Sequence, residues 1–207
     1  SSTSRGLGDV YKRQAYDDRL LDKQREFTAL SQLLFMFENP RKAARVIEDG
    51  LNQGIVKKEE KTLKAAAQYW HASKELEKAK PYYEKAAIKS KEGELYIFLG
   101  QVHFSLDEFS EAENAIRQGI KKGKLKDEAA AFMLLGQINF ENQKWESAIT
   151  AFRKCIDVAE KQFDDKKKKQ KEKKKRVQDQ ARKWVTYTEG EEERVEALKL
   201  KRKALGV

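Results

Sequence analysis

Four glutamines recur along this sequence at nearly constant intervals. They are Gln32, Gln68, Gln101 and Gln137, separated by 36, 33 and 36 residues. Each amide offers two donor hydrogens and one acceptor oxygen, so a row of amides can form hydrogen bonds with the main chain of an extended peptide. This spacing predicts recognition of another polypeptide. The alternative is that glutamine is merely tolerated on a solvated helix face.

A ring follows each glutamine after three residues. The four rings belong to Phe35, His71, Phe104 and Phe140. Aromatic faces beside a row of amides can form pockets for the side chains of a bound peptide. The same spacing also fits rings that pack between neighbouring structural repeats, and the sequence leaves both interpretations open.

Residues able to catalyse a reaction are few and scattered. His71 and His103 are the two histidines, and the sequence contains no HExxH, GxGxxG or GxxxxGK[ST] pattern. The single cysteine, Cys155, has no histidine near it in sequence, which favours a structural thiol over a nucleophile. We therefore expect a protein that is not an enzyme and that holds no metal or cofactor.

The formal net charge of +10 is concentrated in one segment. Residues 166–176 hold nine basic residues and one acidic residue, whereas residues 15–165 hold 25 basic and 26 acidic residues. A nearly neutral body lacks the basic face that phosphate-driven binding needs, so no nucleic-acid partner is expected. The segment Lys166–Arg176 has three interpretations: a solvated helix extension, a weak contact with an anionic surface or acidic partner, or a nuclear-localisation signal.

The glutamines lie within four segments that align without internal gaps. The segments start at Gln24, Glu60, Gly93 and Ala129, and the period is close to 34 residues. Position 8 of each segment is small: Ser31, Ala67, Gly100 and Gly136. Position 20 is Ala43, Ala79, Ala112 and Ala148, and position 24 is Ile47, Tyr83, Ile116 and Phe152. Small residues that face large ones at fixed offsets are what the packing of antiparallel helix pairs requires.

This pattern resembles the tetratricopeptide repeat (TPR). The resemblance implies an all-α fold, a TPR α-solenoid of four helix-turn-helix repeats with a C-terminal capping helix. It also implies that positions 2, 5, 9, 12 and 13 of the first helix of each repeat line a concave groove. Position 9 is the row of glutamines, and position 12 is the row of rings. Lys64 stands at position 5 of the second repeat. A lysine at this position in one repeat alone does not form the basic clamp that holds a C-terminal carboxylate in co-chaperone TPRs.

The expected segments follow from this pattern. The repeat array covers residues 15–162, with repeats near 24–57, 60–92, 93–126 and 129–162, and Gly54 and Gly123 end the second helix of their repeats in a left-handed conformation. A lysine-rich extension of the last repeat helix follows over 163–176. A capping helix and tail then cover 177–207, with Trp184 against the fourth repeat. Residues 1–14 include DVYKRQ, which resembles a translated sequencing-library adapter, and are expected to be non-native.

A narrower resemblance rests on the segments KAARVIEDGLNQGIVKKEEKTLKAAAQYW, GELYIFLGQVHF, GKLKDEAAAFMLLGQINF and ARKWVTYTEGEEER. They are similar to the TPR accessory proteins of TonB–ExbB–ExbD energy-transduction systems. The resemblance implies a periplasmic scaffold that binds a peptide segment or protein partner, with TonB, ExbB or ExbD as candidates. The alternative is a general TPR assembly adaptor for outer-membrane or cytosolic complexes, acting through its convex face and the lysine tract.

Overall fold

The computed structural model of the chain describes Gln14, Tyr16 and residues 21–205. Residues 21–205 form nine α-helices and no β-strand. The helices are α1 (Gln24–Met36), α2 (Pro40–Asn52), α3 (Glu60–Ala72), α4 (Leu76–Lys89), α5 (Glu94–Ser105), α6 (Phe109–Lys122), α7 (Glu128–Glu141), α8 (Trp145–Gln162) and α9 (Lys168–Leu205). The predicted non-native segment 1–14 lies outside the described residues except for Gln14. The all-α prediction is confirmed.

The chain divides into two compact units, of which unit 1 ends at Lys91 and unit 2 begins at Glu92. Unit 1 contains the first two predicted repeats as the helix pairs α1–α2 and α3–α4. Unit 2 contains the other two repeats as α5–α6 and α7–α8, followed by α9. Helix A denotes the first helix of a repeat, and helix B denotes the second.

Packing between helix A and helix B follows the small and large positions that the sequence defines. The alanines at position 20 are fully buried in all four repeats, and the large side chains at position 24 are at most 2% exposed. In unit 2, a Cβ added at Gly100 would lie 2.4 Å from Ile116 Cδ1, and one added at Gly136 would lie 2.4 Å from Phe152 Cε1. Position 8 is therefore small because the position-24 side chain occupies that space, as predicted.

Each helix A ends in the same turn. The residue at position 15 has a positive φ in every repeat, between 54° and 64°, although none of the four is a glycine. They are Glu38, Lys74, Asp107 and Gln143. The next backbone N–H donates back to the carbonyl at position 11, with N–O distances of 2.8 to 3.0 Å. This is the Schellman closure of a helix C-terminus, and it turns the chain into helix B.

Helix B of the first and third repeats ends near a glycine, as predicted. Gly54 has a φ of 74° and Gly123 a φ of 73°, and a Cβ at either residue would meet nothing within 4 Å. The need for glycine is therefore conformational and does not come from crowding. Gly123 also accepts a hydrogen bond through its carbonyl from the Gly93 N–H at 2.8 Å, within unit 2.

The lysine-rich tract does not extend helix B of the fourth repeat, contrary to the expectation. Helix α8 ends at Gln162, and the next helix begins at Lys168. Phe163, which is 9% exposed, belongs to the core of unit 2, so the chain leaves the helix there to bury the ring. Asp164 then turns the chain, because its backbone N–H donates to Gln170 Oε1 at 2.7 Å and its carboxylate accepts from the Lys166 N–H at 2.9 Å.

Two lysines of the tract have structural roles. The Lys174 ammonium, on a side chain 9% exposed, lies 2.6 Å from Asp165 Oδ2 and 3.0 Å from Glu160 Oε1. Lys173 lies 2.6 Å from Asp127 Oδ2. These ion pairs attach the start of α9 to α7 and α8, so only part of the tract is a solvated charged face.

Helix α9 covers unit 2 along an apolar stripe, as the predicted cap should. The cap is one helix of 38 residues that includes most of the lysine tract, whereas the sequence predicted a boundary at residue 177. Ala181 and Thr188 are fully buried. The ring of Trp184 stacks on Phe152 with a centroid distance of 5.4 Å and an interplanar angle of 14°. The prediction that Trp184 packs on the fourth repeat is confirmed.

Candidate functional site

The two glutamines of unit 1 point out of the core. Gln32 of α1 is exposed, and Gln68 of α3 is half-buried. Neither amide makes a hydrogen bond with another described residue. Both amides therefore keep their full donor and acceptor capacity for a ligand or for water.

Gln32 lies at a cleft of about 220 Å³ in unit 1. The wall comes from α1, α2 and α3 and from Glu59, which precedes α3: Gln24, Thr28, Ser31, Gln32, Ile47, Glu59, Lys61, Thr62, Ala65 and Tyr69. This is the face between the helix A segments of the first two repeats, where the TPR resemblance places the groove. Its size fits one or two side chains of a peptide.

Most polar groups of this cleft are already bonded within unit 1. Thr28 Oγ1 donates to the Gln24 carbonyl at 3.0 Å, and Thr62 Oγ1 donates to the Lys57 carbonyl at 2.5 Å. Burial raises the pKa of Tyr69, a tendency that its hydrogen bond with Ser31 partly opposes. Two groups of the cleft have no such partner: the Gln32 amide, and the ammonium of Lys61, which makes no ion pair with a described residue.

Lys64 lies one helical turn beyond Lys61 on α3 and is half-buried. Its ammonium also has no ion-pair partner among the described residues. Unit 1 thus presents two unpaired cations on the helix that carries Gln68. An acidic side chain of a bound peptide is the chemical match for this surface.

Unit 2 has its own pair of glutamines at the same repeat position. Gln101 of α5 is exposed and Gln137 of α7 is half-buried, and neither amide bonds to another described residue. Position 5, which is Thr28 and Lys64 in unit 1, differs here. Ile97 packs against a core cluster, and Met133 is 9% exposed inside another. The surface of unit 2 therefore offers amides without a cation at position 5.

The rings at position 12 make contacts that favour the packing interpretation in three of four repeats. His71 Nδ1 lies 3.2 Å from the Tyr83 hydroxyl. Burial, with a smaller contribution from the nearby charge of Lys74, lowers the pKa of His71, so the neutral ring is favoured near pH 7. Phe104 packs against the core of unit 2 and lies 6.0 Å from the Phe109 ring.

Phe140 is surrounded by three rings of unit 2, with centroid distances of 5.3 to 5.4 Å. They belong to Trp145, Trp184 and Tyr187. Phe35 differs, because 40% of its side chain is exposed while one face lies 4.7 Å from the Tyr69 ring. Of the predicted row of aromatic pockets, Phe35 is the ring best placed to meet a ligand.

No hydrogen bond or ion pair among the described residues joins the two histidines and the cysteine considered for catalysis. Cys155 is fully buried in unit 2, and burial, with a smaller contribution from the Asp127 charge, raises the pKa of its thiol to about 11. His103 Nδ1 lies 2.5 Å from Glu108 Oε2 near the end of α5. Among the described residues, no group of three or more His, Cys, Asp or Glu side chains is placed to hold a metal ion.

Comparisons with known proteins bear on the fold. Residues 129–162 match the family model described as tetratricopeptide repeat. MamA residues 41 to the end from Desulfovibrio magneticus RS-1 is 17% identical with a TM-score of 0.58, over 84% of this chain and 97% of that chain. YrrB, described as a TPR protein with an unusual peptide-binding site, is 14% identical with a TM-score of 0.55, over 70% of this chain and 72% of that chain. The chain has a TPR fold.

A third solved structure supports the same conclusion. The nearly identical TPR-like repeats of a putative kinesin light chain from Podospora anserina are 11% identical with a TM-score of 0.59, over 87% of this chain and 95% of that chain. At such low identities the likeness concerns the fold alone. No match to the sequence was found among curated proteins. No helix of the described residues is both long enough and apolar enough to span a membrane.

Proposed function

We propose that this chain is a non-catalytic scaffold that binds an extended segment of a protein partner through the glutamines of helix A. One observation carries the proposal: all four amides occupy the same repeat position, reach the surface and have no hydrogen-bond partner among the described residues. A preformed helical surface loses little conformational entropy when the main chain of an extended segment forms hydrogen bonds with its amides.

The two units would contribute different chemistry to such binding. In unit 1, Gln32 and Gln68 lie on helices that also carry Lys61 and Lys64, so an acidic residue in the bound segment would strengthen the contact. In unit 2, Gln101 and Gln137 have no such cations at position 5. We therefore expect the affinity of unit 1 to fall with added salt more steeply than that of unit 2.

A narrower proposal concerns the partner and the compartment. The resemblance of the segments quoted above to TPR accessory proteins of TonB systems supports TonB, ExbB or ExbD as the partner and the periplasm as the location. General TPR adaptors of outer-membrane or cytosolic complexes remain the competing assignment.

The glutamine surface can be tested one unit at a time. Soluble portions of TonB and ExbD would be titrated calorimetrically into the chain and into two double variants, Gln32→Ala with Gln68→Ala and Gln101→Ala with Gln137→Ala. Each lost hydrogen bond is worth about 0.5–1.5 kcal/mol, so we expect a double variant to weaken binding roughly five- to 150-fold.

The matched control is the double variant Gln118→Ala with Gln180→Ala, which removes two exposed amides from α6 and α9. Its affinity should equal that of the unchanged chain. If TonB and ExbD do not bind, a pull-down from Gram-negative envelope extract identifies the partner, and the TonB assignment fails while the scaffold stands. If a partner binds all variants equally, the amide surface is wrong.

A second candidate is an adaptor that binds through the helix B side. It is favoured by a cleft of about 490 Å³ in unit 2, lined by residues of α6, α7 and α8. Arg117, Lys154 and Asp157 contribute charges to this cleft. A partner held there would tolerate both glutamine double variants but would lose affinity on Lys154→Glu.

The lysine tract supports a third candidate, contact with an anionic surface. Lys173 and Lys174 are held in ion pairs, so the contact would rest on the exposed members of the tract: Lys166, Lys167, Lys168, Lys169, Lys171, Lys175 and Arg176. Sedimentation with vesicles containing anionic lipid, with and without Lys168→Glu and Lys171→Glu, tests it. Equal sedimentation of both proteins would contradict the contact.

A further inference from the structure

Helix α9 extends beyond the surface that it covers. Its last contacts with unit 2 include the buried Thr188 and the ion pair of Glu189 with Arg153 at 3.0 Å. A Cβ at Gly190 would meet nothing within 4 Å, and most side chains beyond it are exposed. The 16 residues from 190 to 205 therefore form a projecting arm about 24 Å long.

The arm continues the seven-residue spacing of the packed part of α9, with Val195, Leu198 and Leu205 as its apolar members and Glu191 and Arg202 as its charged members. Trp184 is followed at intervals of seven residues by Glu191, Leu198 and Leu205, and Thr188 is followed by Val195. In the arm, Leu198 is 44% exposed and Leu205 is 77% exposed. A stripe spaced by three and four residues is the pattern by which one helix packs along another.

Charge divides the arm into two opposite halves. Residues 190–196 carry four glutamates, Glu191, Glu192, Glu193 and Glu196, and one basic residue, Arg194. Residues 197–205 carry four basic residues, Lys199, Lys201, Arg202 and Lys203, and no acidic residue. Some charges pair along the helix, such as Arg194 with Glu191 at 2.6 Å and Lys199 with Glu196 at 2.8 Å.

We propose that the arm pairs with the arm of a second copy of this chain in antiparallel orientation. When the apolar positions of the two arms face each other, Val195 of one copy lies opposite Leu198 of the other. The two-fold symmetry makes this contact occur twice. The same register places Glu191 of one copy opposite Arg202 of the other. A two-fold axis near residues 196 and 197 makes the surface complementary to itself, as closed dimers require.

The charge distribution selects this orientation and this occupant. An antiparallel pair places the acidic half of each arm against the basic half of the other. A parallel pair would place acid against acid and base against base. The polar residues Glu191 and Arg202 within the stripe then fix the register, because a shift of one turn separates them. The seam is only about two heptads long, so the dimer should be weak and sensitive to salt.

Sedimentation equilibrium of the full 207-residue chain at several concentrations tests the proposal. The basic-half variant carries Lys199→Glu, Lys201→Glu, Arg202→Glu and Lys203→Glu. The acidic-half variant carries Glu191→Lys, Glu192→Lys, Glu193→Lys and Glu196→Lys. We expect each variant alone to associate at least about tenfold more weakly than the unchanged chain, and an equimolar mixture of the two to form heterodimers. A chain with both sets of changes should dimerise again.

The control variant makes the same charge change elsewhere on α9, at Lys168, Lys169, Lys171 and Lys175, each replaced by Glu. It should retain the dimer, and circular dichroism should show unchanged helix content for every variant. The proposal is overturned if the unchanged chain remains monomeric up to about 1 mM. It is also overturned if both half variants dimerise as tightly as the unchanged chain, because the interface then lies elsewhere.

Discussion

Unit 1 and unit 2 contain the same repeat but use its positions differently. At position 5, unit 1 has Thr28 at the wall of a cleft and the half-buried Lys64, whereas unit 2 has Ile97 and Met133 packed into core clusters. The backbone offset is the same in both units, so the side chain alone decides whether the position serves the surface or the core. A repeat pattern therefore identifies a possible surface, and each residue determines whether it is one.

Helix α9, which follows the repeats, adds a second difference between unit 1 and unit 2. Within unit 2, α9 brings Trp184 and Tyr187 against Phe140, and the ring at position 12 becomes part of the packing. Within unit 1, Phe35 at the same position keeps 40% of its surface exposed. Unit 2 is thus expected to be the better packed support, and unit 1 to carry more of the ligand-facing chemistry.

The largest expected effect is the loss of the position-24 ring in unit 2. Phe152→Ala removes a fully buried side chain that stacks on Trp184, and we expect it to lower the free energy of unfolding of unit 2 by about 3–5 kcal/mol. The matched change in unit 1, Ile47→Ala, should cost about 2–4 kcal/mol there. Urea denaturation combined with hydrogen exchange measures both. Unchanged exchange in α7 and α9 of Phe152→Ala would contradict the role of α9.

The second largest effect on stability is expected from adding one methyl group where helix A and helix B of the fourth repeat cross. Gly136→Ala would place a Cβ 2.4 Å from Phe152 Cε1, and we expect a loss of about 1–3 kcal/mol despite the better helix propensity of alanine. Gly190→Ala is the control, because its Cβ meets nothing within 4 Å and should stabilise α9 by about 0.5–1 kcal/mol. Thermal unfolding of both variants gives the comparison. Equal stabilisation by the two alanines would mean that the close approach at Gly136 is absent.

A third prediction concerns Asp127, which joins α7, α8 and α9 in unit 2. Its carboxylate accepts from the Ala130 N–H at 3.0 Å, from Gln162 Nε2 at 2.9 Å and from Lys173 Nζ at 2.6 Å. Burial alone would raise the pKa of Asp127, but these contacts, led by the hydrogen bond from Lys173, outweigh burial and lower it. The lowered pKa stabilises the folded state above about pH 4, and this stability is lost as the pH falls through the folded-state pKa.

The test of this linkage is Asp127→Asn, which keeps a capping oxygen and removes the charge. We expect it to destabilise unit 2 by about 1–2 kcal/mol at pH 7, and the difference from the unchanged chain to shrink toward pH 3. The test compares the free energies of unfolding of the variant and of the unchanged chain at pH 7 and at pH 3. A difference that stays constant with pH would show that the charge of Asp127 contributes nothing.

The smallest expected effect is at the left-handed turn that ends each helix A. Gln143→Gly in unit 2 and Lys74→Gly in unit 1 relieve the positive φ of a residue with a Cβ, and each should stabilise its unit by about 0.5–1 kcal/mol. Asp107→Gly should gain less, because aspartate tolerates this conformation better. Thermal unfolding would rank the three, and a loss of stability at Gln143→Gly would exclude strain at the turn.

The sequence predicts the helix crossings well because each depends on the size of one residue. Position 8 must be small where a position-24 side chain enters, and the Gly100–Ile116 and Gly136–Phe152 contacts follow directly. The sequence also predicts the surface location of the glutamines, since a polar residue at a fixed offset on an amphipathic helix faces outward. What these amides bind stays a prediction.

Two features of the fold could not be predicted from the sequence: the left-handed turn that ends each helix A, and the break between α8 and α9. The left-handed turn at position 15 carries Glu, Lys, Asp and Gln, none of which marks a positive φ in sequence. The break between α8 and α9 was missed because the tract around it is rich in helix-forming lysine. The burial of Phe163 in the core of unit 2, which is a tertiary effect, and the local turn at Asp164 end α8 at this point.

The burial of Cys155 also has a practical consequence for spectroscopy. With a thiol pKa of about 11, roughly one molecule in a few thousand carries the thiolate near pH 7.5, and the sulfur is fully covered. A cysteine introduced at an exposed position, such as Ala197 on the arm or Gln53 after α2, would react with a fluorophore or nitroxide far faster. Two such introduced cysteines can therefore be labelled to measure a distance along this chain while the native thiol stays in place.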